Sequence, residues 1–413
     1  MAFSLDVIPA RKGDCLIVHY GTADEPRIII IDGGPSAVYG PHLKPQIERI
    51  RNLRDLDDNE SLTVDIVMVS HVDDDHIKGI LDMTNELREQ KDAQATLLLR
   101  ARSLWHNSFD DLLDTTPEEL GMAEHYGTAA VNDEIDLPEN TDFDVAKVLA
   151  SISQGRGLRL DAEYLEWKLN HKFGGKLIMA HDQAQPVSLP GDMKVTVVGP
   201  LKDDLVKLQQ EHDKWVEKRT KKNAESVLAA YTDSSVSNLS SIVLLVEADG
   251  KSMLLTGDAR GDKILEGLSL VGLLDEGDDS SIHVNLLKIP HHGSSNNLEV
   301  DFFKRIKADH YVFSGNGEHG NPERETLEML LEARPTGSYK MYFTYPINEI
   351  DKERKKDWDK QRAKEKAKAH GEVRAAWSAK KHSLTALFEA EKKFAKKART
   401  IKSSKPYVIR LSR

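Results

Sequence analysis

The chain has 413 residues, 39% of them apolar and 30% charged, with a formal net charge of −11. That balance excludes a disordered chain, a fibrous repeat and a small disulfide-stapled fold. No apolar run approaches the roughly 20 residues of a membrane span, and the opening MAFSLDVIPARKGD has no basic stretch followed by an apolar one, so a cytoplasmic protein with no membrane contact is expected. The single cysteine, Cys15, can form neither an internal disulfide nor a thiolate cage, and any metal must therefore sit on histidine and carboxylate.

Short β-rich runs open the chain: SLDVIPA, RKGD, CLIVHYG and RIIIIDGG read as strand, turn, strand and a further strand ending in a Gly-Gly loop. The pattern predicts a helix from His42 to Leu56. A buried strand, TVDIVMVS, then runs directly into His71-Val72-Asp73-Asp74-Asp75-His76. Residues 85–180 read as mainly helical, with Thr116-Pro117-Glu118-Glu119 supplying an N-cap, an early proline and first-turn acids. MKVTVVGP restores strand character, and a charged helical stretch fills 201–229. The strands SSIVLLVEA and SMLLTGD are joined by Asp249-Gly250, a hairpin signal. HVNLLKIP, HYVFSG and GSYKMYFTY follow as strands, with helix NPERETLEMLLEA before the last. A lysine-rich helical tail covers Asp351 to about Ala398, and KPYVIRLSR reads as a final strand. The whole is an α/β pattern in two halves.

Charge is unevenly placed. Residues 351–413 carry 21 Lys and Arg against 8 Asp and Glu, or +13, which leaves −24 for the first 350. Such a tail is either a solvated charged helix or a local phosphate-binding surface on a body that otherwise repels polyanions. Its aromatic residues, Trp358, Trp377, Phe388 and Phe394, read as a packing stripe rather than base-stacking platforms.

The chemistry concentrates at strand ends. At the end of an extended strand, residues 71 and 73 point to one side, and the turn into a helix brings 75 and 76 back toward them. Three adjacent carboxylates after a buried strand are costly unless paired or holding a cation. Thr256-Gly257-Asp258 and Pro290-His291-His292-Gly293-Ser294 end two further strands. Asp32 reads as floor of the site or as support for a ligand histidine, Asp14 as structural, and Lys288 as a contact for an anionic substrate. His171, His181, His212 and His283 show no partners in the sequence.

The ordered motifs Gly13-Asp14, IDGG (Ile31 to Gly34), SHxDxDH (Ser70 to His76), NxxSxVL (Asn238, Ser241, Val243, Leu244), LLTGD (Leu254 to Asp258) and LKxPHHGS (Leu287 to Ser294) resemble the metallo-β-lactamase superfamily. Within it, the match is nearest the hydrolase domain of the DNA-uptake protein ComEC. The resemblance covers residues 1–84 and about 190–335. It implies an αββα sandwich of two packed mixed sheets with outer helices in a catalytic domain spanning 1–345, carrying a helical insertion at about 85–189. A basic helical extension, 346–413, follows with its terminal strand.

The resemblance further implies a two-metal site. His71 and Asp73 would bind one ion, Asp75 and His76 the other, with Asp258 bridging and His291 or His292 completing the shell. Strand alternation would send those last two histidines to opposite sides. Asp73 stands where the superfamily more often has histidine, as in the ComEC-like branch; the harder, more anionic set suits Mn²⁺ or Mg²⁺, with Zn²⁺ also open. Asn321 precedes Pro322 where the branch has His-Pro, and the loop's histidine is His319. Asn238 stands where many members place a ligand histidine, and with Ser294 it is a candidate to orient substrate or water.

The reaction so implied is hydrolysis of a phosphodiester, DNA or RNA included, with Asp75, His291, His292, His319 and Lys288 as catalytic candidates. The fold equally serves small-molecule hydrolases acting on a phosphoester such as choline phosphate, a lactone or a thioester. A third reading is a non-catalytic partner-binding module. In each case the helical additions are candidates for a protein partner or a homodimer interface.

Overall fold

The computed structural model describes residues 3–107, 143–206, 240–275, 277, 280–367, 371–401 and 406–412, the side chains of 143–153 and 297 excepted. Asn238, His212, Thr116-Pro117-Glu118-Glu119 and most of the charged stretch after 206 lie outside the described residues.

The first sheet is built from β1 (Ser4–Val7), β2 (Leu16–Gly21), β3 (Pro26–Ile31), β4 (Leu62–Met68), β5 (Leu99–Trp105) and β6 (Lys168–Leu169). Helix α1 (Lys44–Leu53) follows β3, α2 (Asp74–Asp92) follows β4, and α3 (Phe143–Tyr164) precedes β6. The second sheet takes β7 (Val187–Leu189), β8 (Met193–Gly199), β9 (Val243–Ala248), β10 (Lys251–Leu255), β11 (Ile282–Lys288), β12 (Ile306–Phe313) and β13 (Lys340–Phe343). Between them run α4 (Gly261–Leu270), α5 (Val300–Arg305) and α6 (Arg324–Ala333), and α7 (Ile347–Ala367) and α8 (Leu384–Ala390) come after β13. Strand β14 (Ala398–Thr400) closes the second sheet and β15 (Tyr407–Arg410) the first.

Both sheets are mixed. In the first, order β15-β1-β2-β3-β4-β5-β6, pairing is antiparallel up to β3 and parallel beyond it. In the second, order β14-β13-β12-β11-β10-β9-β8-β7, the parallel half runs from β14 to β10 and the antiparallel half from β10 to β7. The Asp249-Gly250 turn behaves as expected: Ala248 faces Lys251 and both turn residues have positive φ, the two-residue turn that matches strand twist.

Strand alternation divides most of the described apolar residues among three large cores. Leu16, Val18, Ile29, Ile31, Ile66 and Met68 of the first sheet meet Val195, Leu244, Val246, Met253, Leu255, Leu286 and Val312 of the second. The intervening residues Ile17, Ile28, Ile30 and Val67 face the opposite way, beneath Ile47 and Ile50 of α1 and Ile77, Ile80, Met83 and Leu87 of α2. On the second sheet Leu245, Leu254, Leu287, Tyr311 and Phe313 lie under Ile264, Leu268, Phe302, Leu327 and Leu330. A strand buried on both faces carries no hydrophilic alternation, which is why IIII, IVMV and VLLV read as continuous apolar runs.

Three expectations need correction. The segment 85–189 is not simply a helical insertion. Helix α2 crosses its start, and β5 and β6 within it extend the first sheet, because Leu99, Ala101 and Leu104 bury against helices while Trp105 reaches the inter-sheet core. The helix expected over His42–Leu56 begins and ends three residues earlier, with a π-turn at Tyr39–Leu43 leading into α1. The tail is not helical throughout. Its β14 pairs with β13, and Leu384, Leu387, Phe388 and Phe394 pack into the second sheet's outer core. Trp358 packs as the stripe reading had it: its ring nitrogen donates to the Ala375 carbonyl at 2.9 Å, with His382 stacked 4.2 Å away. Among the described residues no helix is long and apolar enough to cross a membrane.

Candidate metal centre

Carboxyl ends of strands from both sheets meet at one edge of the molecule, where open α/β sheets place their chemistry. β3 delivers Asp32, β4 delivers Ser70 to His76, β10 delivers Asp258, β11 delivers Lys288 to His292, and the β1–β2 turn delivers Asp14. Two close approaches make the convergence possible. A Cβ on Gly79 would lie 2.0 Å from the Gly33 carbonyl oxygen, and one on Gly13 would lie 1.8 Å from that of Asp75. Only glycine lets the loop carrying Asp32 rest on α2, and the turn carrying Asp14 rest on the helix's first residues.

Asp258 is the centre of the cluster. Its Oδ1 lies 3.3 Å from His76 Nε2, and its Oδ2 lies 3.2 Å from His292 Nε2, 3.8 Å from His291 Nε2 and 4.0 Å from His71 Nε2. Asp73 occupies the N-cap of α2 but makes no capping hydrogen bond; its carboxylate instead turns to His71 Nε2 at 3.6 Å. A capping aspartate ordinarily contributes about 1 kcal/mol to its helix, so this contribution is forgone in favour of the cluster. Asp74 and Asp75 sit in the first turn, where the helix dipole favours negative charge.

The imidazoles are oriented from behind. Asp32 Oδ2 accepts from His76 Nδ1 at 2.8 Å and from Ser70 Oγ at 2.8 Å, and Oδ1 accepts from Ser70 N at 2.7 Å. Ser70 Oγ also meets His71 Nδ1 at 3.1 Å, and Ser314 Oγ meets His292 Nδ1 at 3.2 Å. Each Nδ1 is thereby engaged and each Nε2 is aimed into the cluster. His71 Nε2, His76 Nε2, His292 Nε2 and Asp258 Oδ1 are buried and make no hydrogen bond among the described residues. Orphaned polar atoms of this kind are costly unless a cation takes them.

Without a cation, the electrostatics are those of imidazolium–carboxylate pairs. Burial alone would push Asp258 up, but His292, His76 and His291 hold its carboxyl well below the usual range. Burial opposes charge on His292 too, yet Asp258 and Asp14 push it up to about 9, and Asp258 and Asp32 raise His76 in the same way. His291, at 30% side-chain exposure the most accessible of the four imidazoles, is pulled down by burial.

Several sequence expectations are corrected here. His291 and His292 do not alternate across a strand. Both have left-handed backbone (φ 47° and 54°), so one tight turn brings both rings to Asp258. Such backbone costs about 1–3 kcal/mol per residue and gathers at functional sites; Asp32, at φ 57°, shares it. Lys288 does not face a substrate: it is fully buried, ion-paired with Asp14, 3.9 Å from Asp258, and donates to the Gly257 carbonyl at 3.2 Å. Asp14 is no bystander, since it pairs with Lys288 and lies 3.4 Å from His292 Nδ1.

The cation at the mouth is Lys12, 3.9 Å from Asp75 Oδ2 and 3.4 Å from His319 Nε2. His319 therefore stands on the rim. Asn321 supports the turn by donating to the His291 carbonyl at 3.3 Å, and Ser294 is buried with its amide bonded to the same carbonyl. Sequence reasoning missed Lys12, Ser70 and Ser314 as parts of the site. Ser70 and Ser314 were detectable as hydroxyls at strand ends, but nothing local distinguished Lys12. His283 pairs with Asp309 at 3.0 Å, far from this chemistry.

No family model matches the chain. It is 46% identical over 55 residues to microtubule-associated protein futsch of Drosophila melanogaster, which is 13% of this chain and 1% of that protein. It is 32% identical over 127 residues to microtubule-associated protein 1A of Homo sapiens, 30% of this chain and 4% of that one. The mouse protein 1A is 36% identical over 81 residues, 19% and 3% respectively. The chain thus spans no more than 4% of the length of these curated relatives.

Proposed function

We propose that the protein is a metal-dependent hydrolase on a metallo-β-lactamase-type αββα sandwich, and that it hydrolyses phosphodiesters. The observation that carries this reading is the set of buried side-chain atoms on His71, His76, His292 and Asp258 that converge at Asp258 with separations of 3.2–4.0 Å yet make no hydrogen bond among the described residues. His71, His76 and Asp258 form one group able to hold an ion, and Asp75, His76 and His292 form another. Asp73 and His291 flank them.

Charge supports two divalent ions rather than one. Asp14, Asp32, Asp73, Asp75 and Asp258 bring five negative charges, and Lys288 inside and Lys12 at the mouth offset two, which leaves three with the imidazoles neutral. Cations so held would supply Lewis-acid activation of water and neutralisation of charge developing at phosphorus. The chain's own residues do the rest. Asp32 and Ser70 fix the ligand imidazoles, Lys288 keeps Asp14 and Asp258 compatible with burial, and the mouth offers Lys12 to a phosphoryl oxygen and His319 or His291 to a departing one.

The test is metal-stripped protein resupplied with Mn²⁺, Zn²⁺ or Mg²⁺, assayed on bis(p-nitrophenyl) phosphate and DNA beside Asp258→Ala. Metal-dependent cleavage lost in the variant supports the proposal. Retained metal without phosphodiester cleavage would favour the small-ester reading, which the −24 charge of the body also favours. Failure to bind any divalent ion would overturn the enzyme reading and leave the partner-binding module.

A further inference from the structure

Two loops from different sheets meet at the mouth of the centre, and one arginine joins them. The β1–β2 turn carries Arg11 and Lys12 ahead of Gly13 and Asp14, and the loop between β12 and α6 carries Gly315 to Asn321. Arg11 Nη2 donates to both carboxylate oxygens of Glu318, at 3.0 and 3.3 Å, and Arg11 N donates to Tyr345 Oη at 2.7 Å. The turn is thus pinned to the second sheet by backbone and side chain alike. Glu318 is fixed from within its own loop: Asn316 Nδ2 donates to its Oε1 at 2.8 Å, and its amide donates to Asn316 Oδ1 at 3.0 Å. Burial would raise the Glu318 carboxyl, but Asn316 and Arg11 hold it below the usual range.

The backbone gives the reason for an arginine here. Arg11 has φ 55°, a left-handed conformation that glycine or asparagine adopts at lower cost. Either would make the turn, and what arginine adds is its reach to Glu318. An ion pair this exposed (51% and 29% of the two side chains) contributes little to stability, so its effect is on position. Gly315, Gly317 and Gly320 of the loop all have positive φ. From behind, α7 supports them, with Arg354 Nε donating to the Gly320 carbonyl at 2.9 Å. On the mouth side the loop meets Arg11 and Lys12, whose Nζ lies 3.4 Å from His319 Nε2 and 3.9 Å from Asp75 Oδ2.

We propose that Arg11 is the positioning residue of the mouth: its pair with Glu318 holds the β12–α6 loop so that His319 and Lys12 stand together beside Asp75. The inference rests on the phosphodiesterase reading and assigns the placement of that reading's proton donor. In hydrolysis the oxygen of water bonds to phosphorus as the bond to the leaving oxygen breaks. An alkoxide leaving oxygen must take up a proton, which His319 supplies, whereas p-nitrophenolate departs without one.

The experiment uses the full chain resupplied with Mn²⁺ or Zn²⁺, beside Arg11→Asn, Glu318→Gln and the double variant. Asparagine suits the left-handed turn but is too short to reach Glu318, so the melting temperature should stay at that of wild type. Turnover of a thymidine dinucleotide, which releases an alkoxide, should fall about tenfold or more in each single variant, with bis(p-nitrophenyl) phosphate turnover within about threefold of wild type. The double variant should lose no more than either single one. In metal-free protein, carbethoxylation of His319 by diethyl pyrocarbonate, read by mass spectrometry, should be faster in Arg11→Asn. His283, paired with Asp309 at 3.0 Å elsewhere on the surface, should react at the wild-type rate. Equal losses on the two substrates, losses that multiply in the double variant, or unchanged reactivity of His319 would each overturn the proposal. Wild-type protein that cleaves neither substrate would reject the phosphodiesterase reading instead, and faster reaction of His319 in Arg11→Asn would then still sustain Arg11 as the residue that holds the loop.

Discussion

Asp32→Asn isolates the support of one ligand from the ligand itself. Asp32 is buried and accepts three hydrogen bonds, from Ser70 N, Ser70 Oγ and His76 Nδ1, all at 2.7–2.8 Å. Asparagine keeps the volume and tolerates the φ of 57°, so the backbone is undisturbed. Its oxygen can still accept from Ser70 N, but its NH₂ then faces both the Ser70 hydroxyl and His76 Nδ1. To accept from that amide, Nδ1 must surrender its proton to Nε2, the nitrogen required bare for a metal. A hydrogen bond to a charged group is worth about 1.5–3 kcal/mol, and loss of a carboxylate behind a ligand histidine typically lowers metal affinity 10–100-fold. The expected loss is therefore about 1.4–2.7 kcal/mol of binding. Titration of the metal-free proteins with Zn²⁺ and Mn²⁺ against a chromophoric chelator measures it, with circular dichroism to verify the fold. A folded Asp32→Asn protein with wild-type affinity for both ions would refute the assignment of His76 as a ligand oriented by Asp32.

Gly79→Ala adds a methyl 2.0 Å from the Gly33 carbonyl; the roughly 1 kcal/mol of helix propensity gained is outweighed by overpacking of about 1–3 kcal/mol, so urea unfolding should show net destabilisation. Lys288→Met removes the ammonium paired with Asp14 and leaves that buried carboxylate with His292 as its remaining ion-pair partner among the described residues, so metal-free protein should lose about 3 kcal/mol, with added Mn²⁺ or Zn²⁺ restoring part of it; equal stability of the two metal-free proteins would sink that account. His292, raised to about 9, contributes stability to metal-free protein that is complete below its unfolded value near 6.5 and disappears as pH climbs through about 9. The melting temperature of metal-free protein should accordingly decline over that window, and metal uptake near pH 7.5 should release protons from His292 and His76, read by calorimetry in buffers of differing ionisation heat.

Much of this architecture was legible because it is local. A strand end followed directly by HVDDDH announces a cluster of imidazoles and carboxylates, Asp249-Gly250 announces a two-residue hairpin, and the runs IIII and IVMV announce strands buried on both faces. Misreadings arose where a residue's role depends on what packs against it. Leu99 to Trp105 has β character, yet its neighbours masked it within a charged, helix-rich region. Lys288 looked like a substrate contact because lysine is ordinarily exposed, and only the burial of Asp14 beside it accounts for its position. His291 and His292 were read as strand residues, and two consecutive left-handed conformations cannot be inferred from a pair of histidines.

By itself, then, the sequence determined the α/β class, the order of most strands and the residue types able to bind a cation, since period, turn chemistry and ligand identity are properties of short segments. Tertiary structure alone decided that Asp14, Asp32, Lys288 and Ser314 stand behind the clustered imidazoles and Asp258, that Lys12 rather than Lys288 stands at the mouth, and that the tail closes both sheets. Those outcomes depend on contacts between segments tens to hundreds of residues apart, and burial and charge pairing there follow from which strands share an edge.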